Sequence, residues 1–367
     1  MDEVAQSAEN ARAIVHLDLD AFYAAVEILE DPSLHDQPLV VGGRPEERGV
    51  VSTASYPARK MGIHSAMPTR RALDLCPDLI VLPPRHKVYG DYSRQVMALV
   101  REAAPLVEQT SVDEAFMDLT SVVSTWEEAI DRGRDLQARV REQVGLSASL
   151  GVAANKLVAK VASDRDKPAG LTVVRPGEEA AFLAPLPVRV LWGIGPVTAG
   201  RLDRELQIRT VGDLAQANLD ELRARFGKQG ARMLRHALGE DSRPVVSEHE
   251  VKSISQERTF VRDIDRLGTL KGSLWRMSQR VAERLARSEL AAGTVSIKMR
   301  YADFTTLTRQ MRLMVPTDDA VEIYRAALTL FERAWEQGRA VRLLGVGGSQ
   351  LEPPSGQLSL WETDGRV

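Results

Sequence analysis

Three acidic residues stand where chemistry would need them. Asp18 lies near the end of an otherwise apolar stretch, and Asp113 and Glu114 are adjacent in Ser111-Val112-Asp113-Glu114-Ala115-Phe116. Neighbouring side chains on a flat strand point to opposite faces. Asp113 and Glu114 therefore converge on one site only at a turn or a distorted strand. A buried cluster of carboxylates is costly unless something cationic neutralises it. Divalent magnesium does so through oxygen ligands. Two such ions, about 3.5–4 Å apart, activate an attacking hydroxyl and stabilise a leaving phosphate. Taken singly, each acid reads more simply as a solvated strand-end group, so the argument for chemistry rests on the segments together.

Other residues have chemistry that suits a phosphate ligand. Tyr56, Arg59 and Lys167 offer a phenol and two cations, which meet phosphate oxygens through charge-assisted hydrogen bonds. Alone, each reads as a surface or capping group. The single cysteine, Cys76, has no internal partner and reads as a small buried side chain, in keeping with a reducing cytoplasm.

The elements that carry these residues follow from periodicity. Val15, Leu17 and Leu19 alternate with His16, Asp18 and Asp20, which predicts a strand with one apolar and one polar face. Strands are also expected at 38–42, 50–53 and 147–152. Pro57 suits a first helical turn and Gly62 the end of that helix. Ser124 and Glu127 have the spacing of a capping box opening a helix that Gly145 stops. Residues 155–163 form another helix. Strands and helices thus mix around one core through residue 172.

From 173 to 240 the pattern is helical, punctuated at Gly193-Ile194-Gly195-Pro196 and at Gly227 and Gly230. The first of these reads either as an ordinary interhelical turn or as a helix-hairpin-helix turn, whose free N–H groups suit a DNA phosphate. Residues 241–252 read as a linker. Beyond it the order is β-α-β-β-α-β over 253–350, the ferredoxin-like order. There Val295, Ile297, Met299 and Tyr301 alternate with Thr294, Ser296, Lys298 and Arg300, and Thr306, Thr308, Gln310 and Arg312 follow on the next strand. One sheet face therefore packs on helices and the other is polar and basic, suited to backbone phosphates. The tail, 351–367, has little periodicity and reads as flexible until bound.

Composition bounds the rest. The chain has 367 residues, 27% charged and 44% apolar, which fits two to four globular domains. No stretch of eighteen apolar residues is present, and the acidic start does not read as a secretory signal. The net charge of −3 hides an asymmetry. Residues 1–50 hold three Lys/Arg against eleven Asp/Glu, a balance of −8, and residues 251–310 hold twelve against six, a balance of +6. Charges farther apart than about 8–10 Å are screened in physiological salt, so a partner meets each region's own field. The basic region is a candidate backbone-binding surface, and the acidic one suits cations.

Taken together, these segments resemble the Y-family DNA polymerases. Asp18-Leu19-Asp20-Ala21-Phe22-Tyr23 with Ser111-Val112-Asp113-Glu114 is similar to the family's catalytic signature. Thr53-Ala54-Ser55-Tyr56-Pro57-Ala58-Arg59-Lys60 resembles its fingers segment, and Gly151 through Lys160 with Lys167-Pro168 its palm segment. Tyr301-Ala302-Asp303-Phe304-Thr305-Thr306 resembles the little finger of the bacterial polymerase IV branch. The likeness runs from about residue 12 to the tail.

The resemblance implies an α+β right-hand polymerase: palm and fingers over 12–172, a helix-hairpin-helix thumb over 173–240 and a little finger over 253–350. It implies metal ligands at Asp18, Asp113 and Glu114 with the Leu19 carbonyl, holding two magnesium ions that manganese can replace. Asp20 is structural. Phe22, Tyr23, Thr53, Tyr56, Arg59 and Lys167 would meet the incoming deoxynucleoside triphosphate, Tyr23 as the ring that bars a 2′-hydroxyl, with Phe22 the more core-like of the two aromatics. Gly193, Gly195, Lys298, Arg300 and Arg312 would touch primer-template DNA. Gln357-Leu358-Ser359-Leu360-Trp361 resembles a motif for the bacterial sliding clamp, with Trp361 where Phe is usual. The implied activity is low-fidelity, proofreading-free translesion synthesis by a cytoplasmic monomer. A non-catalytic accessory relative would lack the acid trio, and a palm-domain nucleotide cyclase would have no use for the helix-hairpin-helix, the basic sheet or the clamp motif.

Overall fold

The computed structural model describes residues 12–248 and 250–354. The chain divides into two compact units, Met1–Arg44 with Gly49–Glu248, and Pro45–Arg48 with His249–Val367.

The first unit opens with β1 (Ile14–Leu19), α1 (Phe22–Glu30), β2 (Leu39–Gly42), β3 (Val51–Ala54), α2 (Tyr56–Lys60), α3 (Thr69–Leu75) and β4 (Ile80–Leu82). It continues with α4 (His86–Ala103), β5 (Leu106–Gln109), β6 (Glu114–Asp118), α5 (Trp126–Val144), β7 (Ala148–Ala153), α6 (Lys156–Ser163) and β8 (Leu171–Val173). Five strands make the central sheet in the order β5-β6-β1-β7-β8, while β3-β2-β4 form a small separate sheet. Strand β1 sits in the middle and runs antiparallel to both β6 and β7. Val15, Leu17 and Leu19 enter a core shared with α1, α4 and α5.

The expected polar face of β1 is not solvated. All six of its residues are buried, His16 and Asp18 included. Seven of the eight residues of α6 are buried too, so this nearly all-round apolar helix covers the face that period-two alternation assigned to water. The helix cap expected at Ser124 sits one residue later, on Thr125, and lacks the reciprocal bond of a capping box. Thr125 Oγ1 accepts the Glu128 N–H at 3.2 Å, and the Glu128 carboxylate accepts the Ser124 N–H at 2.6 Å.

The helical part comprises α7 (Glu179–Leu183), α8 (Pro196–Leu206), α9 (Val211–Ala215), α10 (Leu219–Phe226) and α11 (Lys228–Ala237). It shares an apolar core with α6. Gly230 lets α10 and α11 meet, since a Cβ there would stand 2.3 Å from the Leu222 carbonyl oxygen. The first part of the expected linker is packed on the body. Val245 is buried, and the chain from Gly239 to Val246 is bonded to the sheet and α6.

The second unit holds β9 (Ser253–Ile264), α12 (Leu267–Arg287), β10 (Ala291–Tyr301), β11 (Thr306–Thr317), α13 (Ala320–Ala334) and β12 (Val341–Glu352). The element order is the expected one, and the sheet order is β11-β10-β12-β9, all antiparallel. The last strand inserts between the first two, a split βαβ arrangement. Its register pairs Lys298 with Gly345 and Ser296 with Gly347.

Candidate active site

The acids meet at one end of the central sheet. Asp18 on β1 stands directly opposite Glu114 on β6. Asp113 immediately precedes β6, and its carbonyl accepts the Leu19 N–H at 3.0 Å. Ser111 shapes the turn. Its hydroxyl donates to Asp113 Oδ1 at 2.5 Å and accepts the Glu114 N–H at 2.9 Å. The turn that carries the two neighbouring acids is thus closed by a serine three residues before Glu114.

Two lysines hold these carboxylates. Lys167 Nζ lies 2.7 Å from Asp18 and 2.8 Å from Asp164. Lys160 Nζ, on α6, lies 2.7 Å from Glu114. Burial pushes Asp18 up to about 7 against the pull of the Lys167 ammonium. Burial also opposes the charge on Glu114, but His16 and Lys160 outweigh it and hold that carboxyl well below its ordinary value. Burial opposes the charge of Lys167 in turn, and Asp18 with Asp164 more than restores it. Asp18, the deeper of the facing pair, is the one that keeps its proton longer. Among the described residues no three His, Cys, Asp or Glu side chains stand assembled as a metal cage. The positive charge here comes from the two ammonium groups.

Asp20 is different, as its assigned structural role requires. It accepts from Ser147 Oγ at 2.6 Å, Ser149 Oγ at 2.8 Å, the Ala169 N–H at 2.9 Å and the Tyr56 hydroxyl at 3.3 Å. Behind Glu114, His16 is fully buried and pushed down to about 4 by that burial, so it is neutral near pH 7. Ser163 Oγ donates to the Lys160 carbonyl at 2.8 Å and meets His16 Nδ1 at 2.7 Å. On the other side of the ring, His16 Nε2 faces the Glu114 carboxylate at 3.8 Å. Periodicity alone gave no reason to single out His16, Lys160 or Ser163 as neighbours of the acids.

The aromatic pair after the acids splits as expected. Phe22 is buried core. Tyr23 is half-buried and stacks face to face on Tyr89 of α4 at 4.1 Å between ring centres. Tyr89 is itself fixed by a hydrogen bond to Glu27, which Arg85 grips with two nitrogens. Burial and the nearby Asp113 charge raise the Tyr23 hydroxyl. Ala21, between the acids and this pair, adopts a left-handed backbone at φ 47° and starts α1. From α2, Tyr56 reaches Asp20 and is pushed up to about 12 by burial and that carboxylate. Arg59 lies over the Tyr56 ring at 5.1 Å and bonds the Ala54 carbonyl. Thr53 sits on β3, half-buried.

A cleft of about 260 Å³ runs from Lys160 and Asp164 to Arg189, Trp192 and the Gly193–Gly195 turn. Gly193 takes φ +94°, which a side chain would resist, and Gly195 caps α8 with open space where its Cβ would be. That cleft links the lysine on Glu114 to the helix-hairpin-helix turn within one unit.

The second unit carries a separate surface. Its open sheet face presents Thr306, Thr308, Gln310 and Arg312 beside Arg300, Lys298, Ser296 and Thr294. The face is less basic than its sequence implies. Lys298 pairs with Glu257 at 2.9 Å, and Arg300 Nε donates to Thr306 at 2.8 Å. Gly345 and Gly347 lie in its middle, where a Cβ would stand 2.7 Å from Glu257 Cγ and 3.1 Å from Ser296 Oγ. Gln357, Leu358, Leu360 and Trp361 lie outside the described residues.

Comparison with known proteins agrees with this geometry. Residues 17–164 match the impB/mucB/samB family, residues 251–360 its C-terminal domain, and residues 176–208 the IMS family HHH motif. The chain is 44% identical over 350 residues to DNA polymerase IV of Halorhodospira halophila, covering 95% of this chain and 98% of the relative. It is 45% identical over 341 residues to DNA polymerase IV of Alkalilimnicola ehrlichii, covering 93% and 95%. Among solved structures, a Y-family DNA polymerase chimera, Dbh-Dpo4(243-245)-Dbh, matches with a TM-score of 0.82 at 28% identity, covering 93% of this chain and 99% of the other.

Proposed function

The chain belongs to the Y-family DNA polymerases, in the DNA polymerase IV branch, and from that premise we propose how this DNA-directed, translesion polymerase uses its own residues. The reaction is transfer of a nucleotidyl group from a deoxynucleoside triphosphate to a primer 3′-hydroxyl, with release of pyrophosphate. The observation that carries the reading is Asp18 facing Glu114 across paired strands beside Lys167, with Asp113 next in the chain.

Carboxylate and carbonyl oxygens are hard donors, and the buried Asp18 has one ammonium beside it, a donor set that suits a divalent cation. Asp18, Asp113, Glu114 and the Leu19 carbonyl would hold two magnesium ions, with manganese as a substitute. Bound there, the ions supply Lewis-acid activation of the 3′-hydroxyl and charge neutralisation on the leaving phosphates. The protein does the rest by positioning. Lys167, Tyr56 and Arg59 meet the triphosphate, and Thr53 and Phe22 border it. Tyr23, braced by Tyr89, excludes a 2′-hydroxyl. Gly193 and Gly195 approach the primer-template backbone, as do Lys298, Arg300 and Arg312.

The described residues are accounted for by palm and fingers (12–172), thumb (173–240), a strap and linker (241–252) and little finger (253–350). Low-fidelity synthesis without proofreading is proposed on the family likeness alone. No helix among the described residues is long and apolar enough to cross a membrane. The proposed setting is a monomer in the cytoplasm, recruited through residues 357–361 to a sliding clamp.

Primer extension with each deoxynucleotide singly, on intact and damaged templates, tests the reading. Extension opposite damage that stops with chelator and returns with magnesium is expected. A pure protein that binds primer-template but never extends it would overturn the proposal.

A further inference from the structure

The most completely buried ion pair in the first unit lies away from the acids. Lys156 and Glu108 are 5% and 6% exposed and meet at 2.5 Å. Burying two charges costs more than their attraction returns unless further hydrogen bonds complete the site. Here the additional partners are backbone groups of the segment that leaves the helical part. Glu108 Oε2 accepts the Val246 N–H at 2.9 Å, and Lys156 Nζ donates to the Pro244 carbonyl at 3.3 Å. Lys156 also sits over the Phe116 ring at 4.9 Å.

The same segment is tied to the start of α6. Asn155 caps that helix by accepting the Val158 N–H, and its amide donates to the Gly239 carbonyl at 2.8 Å. Asp241 accepts the Leu157 N–H at 3.1 Å and is held in turn by Arg243. Two nitrogens of Arg12 reach the Arg243 carbonyl. At its other end α6 carries Lys160, on Glu114, and Ser163, on His16. One buried helix of eight residues thus joins the strap to the carboxylate.

We infer that Lys156 and Glu108 are positioning residues: their pair clasps residues 244–246 against the palm, and through α6 the clasp sets Glu114 for nucleotide transfer. The inference rests on the polymerase reading above. The energetic logic is that a buried ion pair whose two members both also bond a passing backbone is better satisfied while that backbone is seated. Releasing the strap therefore strains the N-terminal end of α6, and the shift reaches Lys160 and Ser163 about one to two turns along, since a turn is about 3.6 residues.

Two variants test this in the full chain. The double variant Glu108→Leu/Lys156→Met removes both charges together, so neither is left buried alone. Val246→Pro removes only the N–H, at a residue 37% exposed, and leaves the palm untouched. Hydrogen exchange of a peptide covering 240–248 should quicken by about tenfold or more in both, because local opening sets that rate. Single-turnover insertion should slow by about tenfold, with DNA and deoxynucleotide affinities within about twofold of wild type, the signature of a loss confined to the chemical step. If the double variant does not fold, Val246→Pro decides alone. Faster exchange with an unchanged insertion rate would reduce the clasp to a structural tie and overturn the inference, as would unchanged exchange. A wild-type chain that extends nothing would sink the polymerase reading instead, while the exchange result would still report on the clasp.

Discussion

Asp18 and Asp20 are two positions apart on one face, yet their surroundings are opposite. Asp20 is saturated by four donors, whereas Asp18 is buried with one ammonium for company. That contrast ranks the acids by what they have left to offer. Asp113→Ala or Glu114→Ala should abolish primer extension and leave DNA binding nearly intact, because the backbone-binding surfaces lie elsewhere; filter binding and extension on the same preparations check both. The aromatics separate in the same way. Tyr23→Ala should raise ribonucleotide incorporation by about tenfold or more, roughly 1.4 kcal/mol of discrimination, in a competition assay. Phe22→Ala should instead cost about 3–5 kcal/mol of stability in denaturant unfolding, as for a buried ring. The acids were legible in sequence because their types and order are unusual. Of their two lysines, Lys167 was singled out and Lys160 was not, since a lysine on a short helix looks like an ordinary outward charge until the helix is seen lying on β1.

At the scale of elements, local signals travelled well and pairings did not. The βαββαβ order was readable from alternation and helical spacing. The insertion of β12 between β9 and β10 was not, because hydrophobic alternation says which face a strand buries and nothing about its neighbour. The cap moved by one residue, to Thr125, because Ser124 and Thr125 both qualify chemically and only the backbone decides. The open face shows what pairing changes. Lys298 is spent on Glu257, so on the polymerase reading Arg300 and Arg312 are the stronger candidates to meet phosphate. Arg312→Ala should weaken primer-template binding evenly across sequences and lower the slope of log affinity against log salt by about one. Lys298→Ala should change that slope by less; titrations at several salt concentrations compare the two.

Over the whole molecule, charge is sorted by region. The acidic first fifty residues include two positions of the catalytic signature, Asp18 and Asp20, and the positive balance belongs to the last domain. Overall charge near zero thus conceals two regions of opposite balance. The tail carries a motif of its own. Leu358, Leu360 and Trp361 are apolar residues in a short terminal stretch, a composition suited to a partner's pocket. Deleting residues 357–361 should leave distributive synthesis on naked primer-template unchanged and remove the stimulation given by a loaded clamp. Trp361→Phe should keep that stimulation and Trp361→Ala should lose most of it. Full stimulation of the truncated chain would place the contact elsewhere.

Gly345 and Gly347 have neighbours too close for any side chain to be added without displacement. Lys298 and Glu257 flank Gly345 in the register and join over it. The glycine is what lets that ion pair close across the middle strand. On the polymerase reading, a duplex resting there meets a spot whose charges are already spent on each other, and its grip must come from the flanks.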